Sequence, residues 1–357
     1  MKKTFTAVFL FLLLAAGCRK ADHSAVSANK DVTPAQIIND FANMVAFANY
    51  NDLYNQANAF QLTAASFYAN PNDIDLNALR TLWKSARQAW EQSEAFLFGP
   101  VVTDEMDPDT DTWPVNQADL DSLLNTNIIF TAGYLDSLQQ SLKGYHPIEY
   151  IIFGANGIKT AAEFTQREKD YLLALANHLK TIVTKMKDTY DAGQPGNFTI
   201  TLNTAGVGNA TYPSRKSVLT EMANAMSGIC DEVANGKINE VLLAQDPTLE
   251  ESYFSKNSWT DFKFNLIGVK NVYTATYGGS TGKSLADFVS AKNLSLHNSI
   301  IQKMNNAINS FNNVTVPFGQ AILMQPVQVQ NTINAINDLK STLEDNLTPF
   351  IYQYVNE

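Results

Sequence analysis

The stretch that decides the fold is TAAEFTQREKDYLLALANHLKTIVTKMKDTY, residues 160–190. Its apolar side chains fall at Leu172, Leu175, Leu179, Ile182, Val183, Met186 and Tyr190. Steps of three and four residues place them on one face of a helix, and Thr160-Ala-Ala-Glu163 supplies a capping box in front. The same reading extends outward. Thr33-Pro34-Ala35-Gln36 is a second capping box with proline at the first helical position, followed by Ile37, Ile38, Phe41, Met44 and Val45 on one buried face. Ser258-Trp-Thr-Asp261 opens a third run, with Phe262, Leu266, Val269 and Tyr273 on its stripe. Leu296, Ile300, Ile301, Met304, Ile308 and Phe311 form a fourth. Val329, Ile333, Ile336, Leu343, Leu347, Phe350 and Tyr354 form a fifth, just after Pro326. Clean alternation over a strand length is scarce, and its best case is Phe198-Thr-Ile-Thr-Leu202. The pattern predicts an all-α protein.

Residues 191–215 (DAGQPGNFTITLNTAGVGNATYPSR) interrupt the helical periodicity with glycines and two prolines. A connection this long marks the best boundary. The expected organisation is two helical-bundle halves, 32–190 and 216–357, with a functional groove between them. Residues 191–215 are expected to link them and to hold a small hairpin on Phe198–Leu202. Of the 357 residues, 45% are hydrophobic and 11% aromatic, enough for large cores and too much for a disordered chain. Lys and Arg number 25 against 35 Asp and Glu, a formal charge of −10. So acidic a chain lacks the electrostatic footprint for binding a phosphate backbone, which excludes nucleic acid as an expected partner.

The N-terminus, MKKTFTAVFLFLLLAAGC, reads as a secretory signal. Lys2 and Lys3 form the positive region, Phe5 to Leu14 the apolar region, and Ala15, Ala16 and Gly17 lead into Cys18. This ending resembles the bacterial lipobox, although Ala15 stands where that box more often has leucine. The resemblance implies a lipid on Cys18 after removal of residues 1–17, with residues 18–31 as a flexible tether. Arg19 after the cysteine carries no aspartate-type retention signal, so an outer-membrane destination is expected. The second cysteine, Cys230, lies in an apolar run and reads as a buried hydrophobe.

Several groupings could carry chemistry. In Gly144-Tyr145-His146-Pro147-Ile148-Glu149, His146 and Glu149 are spaced i, i+3 and share one face of a helical turn, where they can chelate a metal ion. The competing account makes His146 a cap, Pro147 the first helical residue and Glu149 the residue that completes the turn. In 82–100, Trp83, Arg87, Trp90 and Glu94 share a stripe, and charges among buried tryptophans need partners. An Arg87–Glu94 pair is the plainer account, and a carboxylate aimed into a site is the alternative. Asp107, Asp109 and Asp111 imitate the start of a calcium loop. Thr112 replaces its turn glycine and Ala118 its closing glutamate, so a solvated acidic loop is expected. Gly278-Gly279-Ser280-Thr281-Gly282-Lys283-Ser284 ends like a phosphate loop but begins on Tyr277 behind a helix. It reads as a flexible loop with Ser284 near the next helix start. His23 lies in the tether. His178 and His297 fall in helical runs without ligand-like neighbours.

Taken together, these segments resemble the imelysin family. Gly144-x-His146-x-x-Glu149 matches that family's Gly-x-His-x-x-Glu motif. Trp90-Glu91-x-x-Glu94-Ala-Phe-x-Phe-Gly99-Pro100, Trp113-Pro114, Glu251-Ser252-Tyr253-Phe254-Ser255 and the block Asp261 to Tyr273 accompany it in order. The resemblance implies a two-domain, all-helical fold in the periplasm or at the cell surface. Its members include iron-regulated proteins tied to iron uptake and proteins described as peptidases. Carried over, His146 and Glu149 face a groove between the halves, with Glu94 as the third expected metal ligand. Gly144, Arg87, Trp90, Trp113, Ser255 and Asp261 are the further motif and groove candidates. One imidazole with carboxylates suits iron or zinc. The expected function is therefore an envelope-anchored protein binding iron or an iron-related ligand. Its expected partners are the membrane, through Cys18, and components of iron uptake. The alternatives are a metallopeptidase with a base drawn from Glu94 or Asp261, and a groove for an organic ligand such as a glycan or siderophore.

Overall fold

The first described helix begins where Thr33 accepts a hydrogen bond from the Gln36 amide, closing the expected capping box. The computed structural model describes residues 32–356; the signal segment, Cys18 and His23 lie outside the described residues. Helix α1 (residues 34–69) runs through a π-helical turn, Phe41–Phe47. The wider turn rotates the side chains along it: Phe41, Ala42, Val45 and Ala46 are buried, but Met44, expected on the same face, is 37% exposed. Helix α2 (Asp73–Ser93) starts on the Asn72 side chain, which accepts from the Asp75 amide. Short helices come next, among them α3 (Met106–Asp111) and α4 (Tyr145–Phe153). Helix α5 (Gln166–Tyr190) buries Leu172, Leu175, Leu179, Ile182, Val183, Met186 and Tyr190 as its pattern requires. Its cap is Thr165 with Glu168, whereas Thr160 and Glu163 close a separate 3-10 turn just before it.

In the second half, α6 (residues 215–244) contains another π-helical turn, Glu232–Ile238. Beyond it lie α7 (Ser258–Thr274), α8 (Leu294–Ser310) and α9 (residues 326–354). Tyr354, expected on the buried stripe of α9, is 38% exposed because the helix ends there. Strand structure among the described residues is a two-stranded hairpin, Thr276–Tyr277 with Ser280–Thr281. Gly278 and Gly279 both have positive φ, the conformation a tight two-residue turn demands, so the stretch expected to be a flexible loop is ordered. Ser284 caps the next helix together with Asp287.

The expected hairpin at Phe198–Leu202 is instead a helix, Phe198–Asn203, with Asn197 as its cap. Phe198 and Leu202 are buried while Ile200 is 52% exposed, so the spacing of four serves one helical face. The Phe198 ring stacks edge-on against Tyr190 and lies over Gly99, where any Cβ would collide with it.

Helix α2 organises the whole arrangement. It packs on α1, which in turn packs on α5, and it also touches α4. On its other side it lies along α7, which belongs to the second half and packs on α6 and α8. The α2–α7 approach is close because residue 268 is glycine: a Cβ there would meet the backbone of Gln92. Residues 32–357 form one compact unit. Among the described residues, no helix is long and apolar enough to cross a membrane.

Candidate functional site

Helix α2 carries Arg87, Trp90 and Glu91, and the 3-10 turn that follows it carries Glu94, to the seam with the second half, and all four are buried. Arg87 is wholly enclosed. Its guanidinium pairs with Glu91 on its own helix, with Asp111 at the end of α3, and with Glu251 from the second half at 2.8 Å. Asp261, on the first turn of α7, stands 3.7 Å away. Trp90 donates its indole N–H to the other Asp111 oxygen at 2.6 Å. The anticipated Arg87–Glu94 pair does not form. Glu94 faces Lys237 at 3.4 Å and accepts from Asn265 Nδ2 at 2.5 Å. Asp111 is buried and central, contrary to its reading as part of a solvated loop.

The motif segment explains its glycine. Gly144 sits at φ 84°, ψ −156°, and a Cβ there would collide with the carbonyl of Thr110. That contact draws the start of α4 against the end of α3, so Lys143 meets Asp109 at 2.8 Å and His146 meets Asp111. Helix α4 begins at Tyr145, which puts His146 and Pro147 inside the first turn. The capping account of His146 therefore fails. Its Nδ1 faces Glu149 Oε2 at 3.3 Å, and Glu149 Oε1 accepts from the Ser255 amide at 2.7 Å. This second bond ties the motif to the second half of the chain. His146 Nε2 lies 3.0 Å from Asp111 Oδ1 but off the line of a hydrogen bond, so that buried nitrogen has no in-line partner among the described residues.

Three carboxylate surroundings complete the cluster. Asp261 accepts from Ser252 Oγ and Asn257 Nδ2, both at 2.6 Å. Asn265 also donates to Glu91 Oε2 at 2.7 Å. Glu251 Oε1 receives Arg87 and, at 3.3 Å, Lys237, while its Oε2 is buried with no hydrogen-bond partner among the described residues. Six linked carboxylates (Glu91, Glu94, Asp111, Glu149, Glu251, Asp261) thus share the seam with two permanent cations, Arg87 and Lys237. Burying unpaired charge is costly, so the excess must be met by protons or by a bound cation.

Proton affinities reflect that imbalance. Burial, with Glu91 alongside, pushes the Glu94 carboxyl well above the ordinary range. Burial raises Asp261 to about 8 even with Arg87 nearby. Burial opposes ionisation of Asp111, yet the Arg87 guanidinium beside it holds its carboxyl well below the usual range. Burial also disfavours the charged His146 ring, but its contacts to Asp111 and Glu149 outweigh that and push it up to about 9.

Two sets of potential ligands have atoms within 4.8 Å of one another: Asp111, His146 and Glu251, and Glu91, Glu94 and Asp111. The anticipated set of His146, Glu149 and Glu94 is therefore rearranged. His146 gathers with Asp111 and Glu251, Glu149 holds the far side of the imidazole, and Glu94 lies with Glu91 and Asp111 in the second set while facing Lys237. Two clefts reach the cluster beside cis-Trp113–Pro114, and Pro114 lines both. One, of about 260 Å³, is lined by Pro114, His146, Glu251 and Tyr253; the other, of about 270 Å³, by Trp113, Lys237, Glu240 and Glu251. Trp113 lies 6.4 Å from the His146 ring by centroid, and Lys237 Nζ stands 5.2 Å over it. Ser255 contributes its amide, not its hydroxyl, to this arrangement.

Glu91, Asp111, Glu251 and Lys237 received no assigned role from the sequence. Glu91 had a findable signal, standing four residues after Arg87 on one helical face. Lys237 had none, because the π-helical turn breaks the periodicity that would place it.

The sequence profile of the family described as Imelysin matches residues 46–345. The chain is similar to the iron-regulated protein A of Synechococcus elongatus, with 29% identity over 254 residues, covering 70% of this chain and 67% of that protein. In three dimensions it is similar to a Parabacteroides distasonis structure provisionally assigned as an iron-regulated protein A precursor. That match has a TM-score of 0.81 at 21% identity and covers 90% of this chain and 95% of the other. An imelysin-like protein from Psychrobacter arcticum aligns with a TM-score of 0.72 at 14% identity, over 89% and 95% of the two chains.

Proposed function

The chain belongs to the imelysin family, and from that premise we propose that it binds an iron ion through Asp111, His146 and Glu251. The observation that carries this reading is the excess of buried carboxylates over buried cations, coupled with two buried atoms, His146 Nε2 and Glu251 Oε2, that lack in-line hydrogen-bond partners. An imidazole nitrogen with carboxylate oxygens suits iron, manganese or zinc. The iron-regulated name of the Synechococcus relative favours the first of these. In this reading Glu149 orients the imidazole through Nδ1 and leaves Nε2 for the ion, the usual arrangement behind a ligating histidine. Arg87 and Trp90 fix Asp111, and Gly144 lets the two short helices meet.

The proposed setting is the bacterial cell envelope. The signal-like segment and Cys18 support a lipid anchor there, and Arg19 after the cysteine supports outer-membrane attachment; contact with components of iron uptake belongs to the same proposal. The clefts beside Trp113–Pro114 would admit the ion from solvent. Glu149 is committed to His146 and Ser255, so the geometry offers no free base at the motif for the metallopeptidase alternative.

The test is elemental analysis and calorimetric titration of the full chain in detergent with iron(II), iron(III) and zinc. One equivalent bound by the wild type and lost in His146→Ala is the expected result. Binding no stronger than scattered surface carboxylates would overturn the proposal.

A further inference from the structure

We infer that Lys237 is a resident cation of this site, one that holds Glu251 while the protein is metal-free and competes with an incoming ion for it. The inference rests on the metal reading of Asp111, His146 and Glu251 given above and adds how that site is regulated.

Lys237 is held unlike Arg87 and Lys143, the buried cations that each close on a carboxylate within 2.8 Å. Its ammonium is 3.3 Å from Glu251, 3.4 Å from Glu94 and 3.5 Å from Glu232, with no closer carboxylate among the described residues. Charge-assisted hydrogen bonds ordinarily close to about 2.7–2.9 Å. The ammonium is therefore shared among three acids rather than locked on one. It rides on the π-helical turn Glu232–Ile238, next to Gly236, around which there is open space. Such turns are inserted departures from α-helical geometry and recur at functional sites.

Glu251 makes Lys237 and the ion antagonists. Lys237 and Arg87 both lie on Glu251 Oε1, while Oε2 belongs to the side left for the metal. Two cations on the two oxygens of one buried carboxylate repel each other strongly, because little water screens them. Entry of the ion must push the ammonium away from Glu251. A place for it exists: Glu232 is half exposed, and Glu240 lines the same cleft as Lys237. Lys237 would move outward along that cleft, past the face of Trp113, while remaining paired. By linkage, an ammonium that weakens the ion's grip is itself loosened by the ion.

The experiment compares the full chain in detergent as wild type, Lys237→Met, and Lys237→Met/Glu232→Gln, titrated anaerobically with iron(II). The double variant removes Lys237 together with the half-exposed acid that faces it, one positive and one negative charge, so the net charge around the site is unchanged. Competition at Glu251 predicts that both variants bind iron(II) about 10- to 100-fold more tightly than the wild type. Unchanged or weaker affinity in the double variant, with wild-type binding intact and abolished by His146→Ala, would overturn this inference and leave the metal site standing. A gain in Lys237→Met alone would also overturn it, since bulk charge would then suffice. Should neither the wild type nor the variants bind iron(II), the metal reading itself would fall.

Discussion

The buried seam has two ends that treat charge in opposite ways. At the Arg87 end, the two terminal nitrogens of the guanidinium pair closely with Glu91, Asp111 and Glu251 beneath Trp83 and Tyr145, although its Nε has no hydrogen-bond partner among the described residues. At the His146–Glu251 end, a nitrogen and an oxygen are left without in-line partners, clefts open beside Trp113, and a loosely shared lysine stands alongside. Both ends are equally buried, so burial does not separate them. What separates them is how closely the charges meet and whether a cleft reaches them. Carboxylates closed on a fixed guanidinium hold the chain segments together, whereas acids that share a more distant ammonium beside open clefts leave room for a ligand.

On that division, the largest loss of stability belongs to the Arg87 end. Arg87→Met should cost about 3–5 kcal/mol, because Glu91, Asp111 and Glu251 would stay buried without their partner. Lys237→Met should cost clearly less, about 1–3 kcal/mol, since its contacts are long and shared. Urea unfolding of the two variants checks this, and equal losses would break the comparison. Gly144→Ala comes next. It forces a side chain into a conformation reserved for glycine and against the Thr110 carbonyl, at about 1–3 kcal/mol, and should weaken metal binding as His146 shifts from Asp111.

Much of this architecture could be read from the residues alone. The long helices are dictated by apolar spacing, as in α5, and the His146–Glu149 pair by its i, i+3 placement. The misread positions share a physical cause, namely dependence on a distant partner. Asp111 looked solvated because three alternating aspartates resemble a surface loop. Its burial depends on Arg87 and on Gly144, which lie 24 and 33 positions away. Lys237 was hidden by a π-helical turn. Phe198–Leu202 alternates like a strand, yet Asn197 caps it and Phe198 must reach Gly99 and Tyr190, which a helical turn achieves. Glu251 was visible only as part of a block, because its role is created by two cations from elsewhere in the chain.

Smaller effects sharpen the contrast at the open end. Glu149→Gln should lower metal affinity about 10- to 100-fold with little change in stability, because it disturbs only the orientation of the imidazole. Calorimetric titration beside a thermal melt separates the two. The pH dependence should be subtler still. His146 and Asp261 hold their protons more tightly when folded, to about 9 and about 8. Their contribution to stability is present below their unfolded values and is lost as pH rises through the folded ones. The metal-free protein should therefore lose stability as pH rises, from about pH 4 to 8 through Asp261 and from about 6.5 to 9 through His146, and bound metal, which takes the proton's place on His146, should flatten the upper part of that decline. A decline of equal size with and without metal would show that the protons and the ion do not share this end.

The most direct measurement is X-ray absorption at the iron edge on protein loaded with one equivalent of iron(II). The account predicts a mixed nitrogen and oxygen shell with the outer scattering of one imidazole, and loss of that scattering in His146→Ala. An oxygen-only shell, the same in wild type and variant, would contradict it.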